Sequence, residues 1–286
     1  MKRIAVALAL ACAGCGFSVG GSDNPIDARQ VDGSDSAVDS DGPGPDSAPE
    51  PAPGACESMW QSGNVAFDQP VVLTGLGPTT YDSDPWVSHD ELTIYWVGGT
   101  MPAPPPGMPT KDDVFTATRL SKTSPFSNPM RVTAIDSAGD DSKAALTVDE
   151  LDVILSAVHP PKADTDFYEA RRTTKTDPFS LPDTVAFTNI NTADPEYDPH
   201  LDPSGLRLYY SKIEGGKQKI VLSERASRSD VFSAPVLVPV VNDGTNPTNV
   251  PIYAADPSLS ENEHIILFTT DKTATKLGGN MWYATR

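Results

Sequence analysis

One pattern is written four times in this chain, and no fold that ignores it is admissible. Its clearest copy reads Glu196-Tyr197-Asp198-Pro199-His200-Leu201-Asp202-Pro203-Ser204-Gly205-Leu206-Arg207-Leu208-Tyr209-Tyr210-Ser211, and the others occupy 82–97, 141–156 and 254–269 without gaps. Anchored on the third residue (Asp84, Lys143, Asp198 and Asp256), the copies stand 59, 55 and 58 residues apart. Two more landmarks recur in phase. A short run ends in Arg at Arg119, Arg172, Arg225 and Arg286, and a Phe-Ser-x-Pro begins at Phe126, Phe179 and Phe232, with a divergent copy at Phe67. Such periodicity marks units that cannot bury their apolar faces alone and must stack on one another.

Each unit reads as strands. Leu92, Ile94 and Trp96, and likewise Leu206, Leu208 and Tyr210, alternate at period two, and no repeat contains an amphipathic run of helix length. Four pieces fit: an inner strand after Asp-Pro, a second after the Asp-Glu or Ser-Gly turn, a third ending in Arg, and an outer one after Phe-Ser-x-Pro. Four antiparallel strands in about 57 residues make one blade of a β-propeller. The expected fold is therefore an all-β propeller of four blades, with five as the alternative if 57–66 belongs to a truncated blade. The chain opens with an outer strand near 67–72 and ends with a third strand at 282–286, so its two ends are expected to close the last blade together. The motifs resemble the WD40-like (PD40, TolB-type) propeller repeat over roughly residues 60–286. That resemblance implies protein partners in a bacterial envelope, but it transfers no partner-binding residue.

Ahead of the repeats lies a different kind of sequence. Lys2 and Arg3 precede an apolar run from Ile4 to Ala11, too short for a permanent span and fitting a cleaved export signal. Next comes Cys12-Ala13-Gly14-Cys15-Gly16, which resembles a lipobox. Small residues before Cys15 favour it over Cys12 as the acylated residue, so residues 1–14 are expected to be a signal peptide. Residues 15–55 are Ser, Asp, Pro, Gly and Ala, with eight carboxylates facing the single Arg29. A tract this polar and charged cannot offset its ordering entropy and reads as an extended tether. The propeller is expected over 56–286. With Cys12 removed and Cys15 acylated, Cys56 alone remains, and no disulfide is expected within the domain.

The formal charge is −18, with 21 Lys and Arg against 39 Asp and Glu, which excludes a nucleic-acid backbone as partner. Membrane contact is expected through the N-terminal lipid only, with an outer-membrane location because Gly16 follows Cys15, and the chain is expected to be a monomer.

Candidate ligand residues follow from the repeat. The third position of each inner strand faces the mouth of the axial channel, bringing together Asp84, Lys143, Asp198 and Asp256, with His200 the individual residue beside them. Loops 98–111, 157–165, 212–218 and 270–279 are expected to rise next to this mouth. Asp-Pro recurs in three blades, so a structural part in strand geometry is the simpler reading. Lys143 in the fourth place would repel a bound cation. The recurring Arg residues read as ties between blades. His89, His159, His200 and His264 have no metal-ligand spacing, and neither metal nor cofactor is expected. No nucleophile elbow, zinc-protease helix, phosphate loop or dinucleotide fingerprint occurs. The leading functional expectation is non-catalytic binding of an envelope protein or glycan. One alternative is a propeller-type glycoside hydrolase or lyase using the channel-mouth Asp residues, and another is a purely architectural envelope protein.

Overall fold

The computed structural model describes residues 73, 76, 81–99, 111–158, 164–242, 253–260, 263–270 and 280–285. Among them four antiparallel sheets follow one another along the chain, the blades of a β-propeller. Blade one contains β1 (Tyr81–Val87), β2 (Thr93–Gly99), β3 (Asp113–Thr118) and β4 (Ser127–Arg131). Blade two contains β5 (Asp141–Leu146), β6 (Asp152–Val158) and β7 (Thr165–Arg171), and a single bridge from Glu169 to Asp183 stands where an outer strand would pair. Blade three contains β8 (Glu196–Leu201), β9 (Arg207–Glu214), β10 (Lys217–Glu224) and the short β11 (Val236–Leu237). Blade four contains β12 (Ala254–Leu259), β13 (Ile265–Thr270) and β14 (Asn280–Thr285). Among the described residues helix is confined to two single 3-10 turns, Val185–Phe187 and Val240–Asn242. The expected closing strand at 67–72 and the segment 57–66 lie outside the described residues, as do the signal, lipobox and tether.

The cores lie between blades, as stacking of half-buried sheets requires. Tyr95 and Val114 of blade one pack with Leu146, Val153 and Leu155 of blade two. Ala145, Ile154 and Phe167 meet Leu208, Tyr210 and Val221 across the next junction, and Ile220 meets Ala254 and Phe268 across the one after. Ile94, Trp96 and Phe115 cover the other face of blade one, with Leu76 packed on them. Leu76, Ile135, Ile190 and Val241 fill equivalent places before each inner strand, an apolar landmark that the repeat comparison overlooked. Each fully buried aliphatic or aromatic side chain contributes about 1.5–3 kcal/mol relative to exposure.

The inner and second strands join through one turn, built four times. The amides of Ser88, Thr147, Asp202 and Ser260 donate to the carbonyls of Thr93, Asp152, Arg207 and Ile265. The turn needs a left-handed residue, supplied by Gly205 in blade three (φ 77°) and by Glu91, Glu150 and Glu263 (φ 61°, 57° and 55°) in the others. The recurrent Arg and Phe landmarks form one device around this turn. Arg119, Arg172 and Arg225 stack over Phe126, Phe179 and Phe232, with 4.7, 4.4 and 4.3 Å from guanidinium carbon to ring centre. Each Nε donates to a carbonyl of its own blade's turn: Glu91, Glu150 and Gly205. The Arg residues are thus clamps within a blade first. Two also reach across, Arg172 to the Tyr95 hydroxyl at 3.2 Å and Arg225 to Glu169 at 2.9 Å, so the expectation of ties between blades holds for part of their contacts. Arg286 lies outside the described residues.

Candidate functional site

The inner strands begin before Asp-Pro, not after it. In β1, β8 and β12 the dipeptide sits mid-strand at a β-bulge, where the register with the second strand shifts between Ser83 and Trp86, Tyr197 and His200, and Ala255 and Ser258. Asp84, Asp198 and Asp256 are left-handed there, with φ of 49°, 56° and 53°. A residue preceding Pro ordinarily stays extended, so this conformation is imposed by the bulge against local preference. Asp tolerates it better than most side chains. In β5 the bulge falls between Asp141 and Lys143 with no left-handed residue, and Lys143 takes the third position.

Each axial carboxylate is held by a hydroxyl. The Ser83 hydroxyl donates to Asp84 at 2.8 Å, and that of Thr269 to Asp256 at 2.6 Å. Ser211, the Thr269 equivalent in blade three, donates to Asp198 and accepts the Asp256 amide at 3.2 Å. Sequence reasoning expected Asp to bond local backbone; the partners are hydroxyls. Two of them, those of Ser211 and Thr269, stand on the second strand, Ser83 is the residue before Asp84 in β1, and Ser211 ties two blades.

All five expected residues come together. Burial pushes the Asp198 carboxyl up to about 6; Lys143 opposes that rise, whereas the charges of Asp256 and Asp84 add to it. His200 is held neutral: burial and then the Lys143 charge bring it down to about 4 against the opposing pull of Asp202. Its Nε2 accepts the Leu259 amide at 3.3 Å, so the side chain clasps the inner strands of blades three and four. That contact makes His200 a structural tie between two inner strands before it is anything else. A further carboxylate pair flanks Asp84, for Asp112 is raised by burial and then by Asp140 and Asp84.

Of the loops expected beside the mouth, 100–110, 159–163 and 271–279 lie outside the described residues. The stretch 212–218 is no raised loop. β9 and β10 run on to a two-residue turn in which Gly215 and Gly216 both have positive φ (61° and 76°), the requirement of a tight hairpin. Sequence reasoning also missed Asp113, Asp136 and Asp141 at the junction of blades one and two. Their signal was present in the doublets Asp112-Asp113 and Asp140-Asp141.

No family model matches this sequence, and no curated protein matches it. Among solved structures, similarity is found to a putative TolB from Agrobacterium tumefaciens, at 12% identity and a TM-score of 0.47 over 74% of this chain and 64% of that one. A thermostable family-43 glycoside hydrolase is similar at 15% identity and a TM-score of 0.46, over 73% of this chain and 74% of that one. A gluconolactonase from Xanthomonas campestris follows at 12% identity and a TM-score of 0.44, over 74% and 59%. The chain spans less than two thirds of the first of these. Likeness this distant carries nothing about activity, ligand or partner.

Proposed function

We propose that the chain is a lipid-anchored envelope protein whose propeller is a non-catalytic platform, binding a protein or glycan at its acidic axial face. The observation that carries this reading is the tethering of the axial groups. Asp84, Asp198 and Asp256 each accept from a nearby hydroxyl, and His200 accepts a backbone amide. Groups held this way present a fixed charge pattern, which suits recognition. A Ser-His-Asp triad would need a hydroxyl bonded to the histidine, whereas Ser83, Ser211 and Thr269 donate to carboxylates and His200 Nε2 accepts the Leu259 amide. Acylation at Cys15 and the acidic tether of 15–55 would hold the platform away from the membrane. No helix among the described residues is long and apolar enough to cross one.

The second reading, a glycoside hydrolase or lyase, is favoured by one observation: Asp198 is raised to about 6, the direction required of a general acid. A polysaccharide panel separates the two. Turnover by the wild type that Asp198→Asn abolishes would overthrow the platform reading, whereas retention of an envelope protein or glycan on immobilised protein, lost in Asp198→Asn with no turnover, supports it. The anchor has its own test. Cys15→Ala should move the protein to the soluble fraction, and continued membrane association would sink the lipid attachment.

A further inference from the structure

Of the three junctions among the described residues, two are built alike and one differs. In the linker before blade three, Asn191 receives the Phe167 amide at 3.0 Å and donates to the Phe167 carbonyl at 3.0 Å. Before blade four, Asn242 does the same for Ile220, at 2.9 and 2.6 Å. A neutral amide thus clips the third strand of one blade to the linker leading into the next. Before blade two the same position is Asp136, following Ile135 as Asn191 follows Ile190. A carboxylate cannot donate, so this junction is held in another way.

Around Asp136 stand two more acids. Asp113 opens β3 of blade one and Asp141 opens β5 of blade two, and both are fully buried, at 0% exposure. One carboxylate oxygen of each of Asp113, Asp136 and Asp141 lies within 4.8 Å of the other two. Two cations already serve the cluster. The Lys111 ammonium meets Asp113 Oδ1 at 2.9 Å, Asp136 Oδ1 at 2.7 Å and the Ser137 carbonyl; Arg131 meets Asp113 Oδ1 at 2.9 Å and Asp136 Oδ2. They leave a deficit. Three carboxylates face two positive charges, and Asp113 Oδ2 and Asp141 Oδ1 are buried without any hydrogen-bond donor. Orphaned carboxylate oxygens in the interior carry a full desolvation cost unless a charge answers them.

We propose that Asp113, Asp136 and Asp141 form an oxygen-only site for a hard divalent cation of the calcium class, pinning blade one, the linker and blade two together. Hard dications take carboxylate and carbonyl oxygens, and a span of 4.8 Å is what two Ca–O bonds of about 2.4 Å bridge. Lys111 is the built-in competitor, because its ammonium lies among the same oxygens. Its side chain is partly exposed to solvent. The site is distinct from the axial cluster and does not depend on the platform reading.

The test is calcium titration of the chelator-stripped full chain by calorimetry, with magnesium as a second probe, on wild type, Asp136→Asn and Lys111→Met. Asp136→Asn installs the residue that the other two junctions already carry, so it is the variant expected to keep the fold, with circular dichroism as the check. Saturable one-to-one binding that weakens about 10- to 100-fold in Asp136→Asn and tightens in Lys111→Met supports the site. Equal calcium binding by wild type and Asp136→Asn would overturn it by assigning the heat to the acidic tether. Absence of saturable calcium binding in both wild type and Lys111→Met would overturn it outright.

Discussion

Arg225 shows what a single repeated residue does in this fold. Its side chain is wholly buried, so its charge must be met inside the protein. Phe232 lies under the guanidinium, the Gly205 carbonyl takes Nε–H, and Glu169 of the neighbouring blade stands 2.9 Å from Nη1. His200 solves the opposite problem by giving up charge. Its folded pKa of about 4 lies below the ordinary value of 6.5, so it contributes stability that is present above pH 6.5 and lost as pH falls toward 4. Asp141 and Asp198, raised to about 6, act in the other direction over part of that window, since ionisation disfavours their folded state. Comparing wild type with His200→Ala cancels them. At pH 7.5 the variant should be less stable by about 1–3 kcal/mol, because the Leu259 amide loses its acceptor. Urea unfolding should show that gap narrowing at pH 5. A gap independent of pH would refute the neutral clasp.

At the scale of the element, the bulged inner strand is the part that sequence could name but not shape. Asp-Pro and its spacing were legible because they repeat, and so were the turns at Glu91, Glu150 and Gly205, whereas the turn at Glu263, with Asn262 before it, was not singled out. The left-handed Asp was not legible, because the residue before Pro has a local preference for extended backbone and only pairing with the second strand overrides it. The hairpin through Gly215 and Gly216 was hidden for a different reason: strand periodicity fades where both faces are polar, as in Lys212 to Lys219. Asp256 tests the bulge without disturbing a core, since it is exposed and bonded only to its own blade's Thr269 through its carboxylate. Asp256→Gly loses that bond but escapes the left-handed cost, so its stability should stay within about 1 kcal/mol of wild type. Asp256→Val keeps the strain and adds β-branching, and should lose about 2 kcal/mol or more. Equal denaturation midpoints for the two variants would show that the bulge imposes no backbone constraint.

Across the whole molecule, stability resides between blades. Each sheet exposes both faces, and the clusters that cover them draw residues from two blades at a time. Charged contacts follow the same plan: Arg228 of blade three reaches Asp149 of blade two at 2.7 Å, and Arg207 of blade three meets Glu263 of blade four. This arrangement explains what repeat comparison saw and what it passed over. The axial residues share one repeat position, so aligning the copies collects them. The Asp113, Asp136 and Asp141 cluster draws on a third strand, a linker and the next inner strand, so no single copy contains it. The same arrangement predicts that a defect in one junction is felt as a loss of the whole fold. Phe167 is the sharpest probe, being fully buried with its ring edge-on to Tyr210 of blade three at 5.1 Å and to Phe187 at 5.7 Å. Phe167→Ala should cost about 3–5 kcal/mol. Leu181→Ser, at an 85% exposed position, should cost almost nothing. If junctions couple the blades, Phe167→Ala lowers the midpoint of a single unfolding transition, and tryptophan fluorescence, whose described contributors Trp86, Trp96 and Trp282 lie in blades one and four, shifts together with circular dichroism. If the fluorescence midpoint stays put while the circular dichroism splits into two steps, the blades fold independently and the junctions are mere contacts.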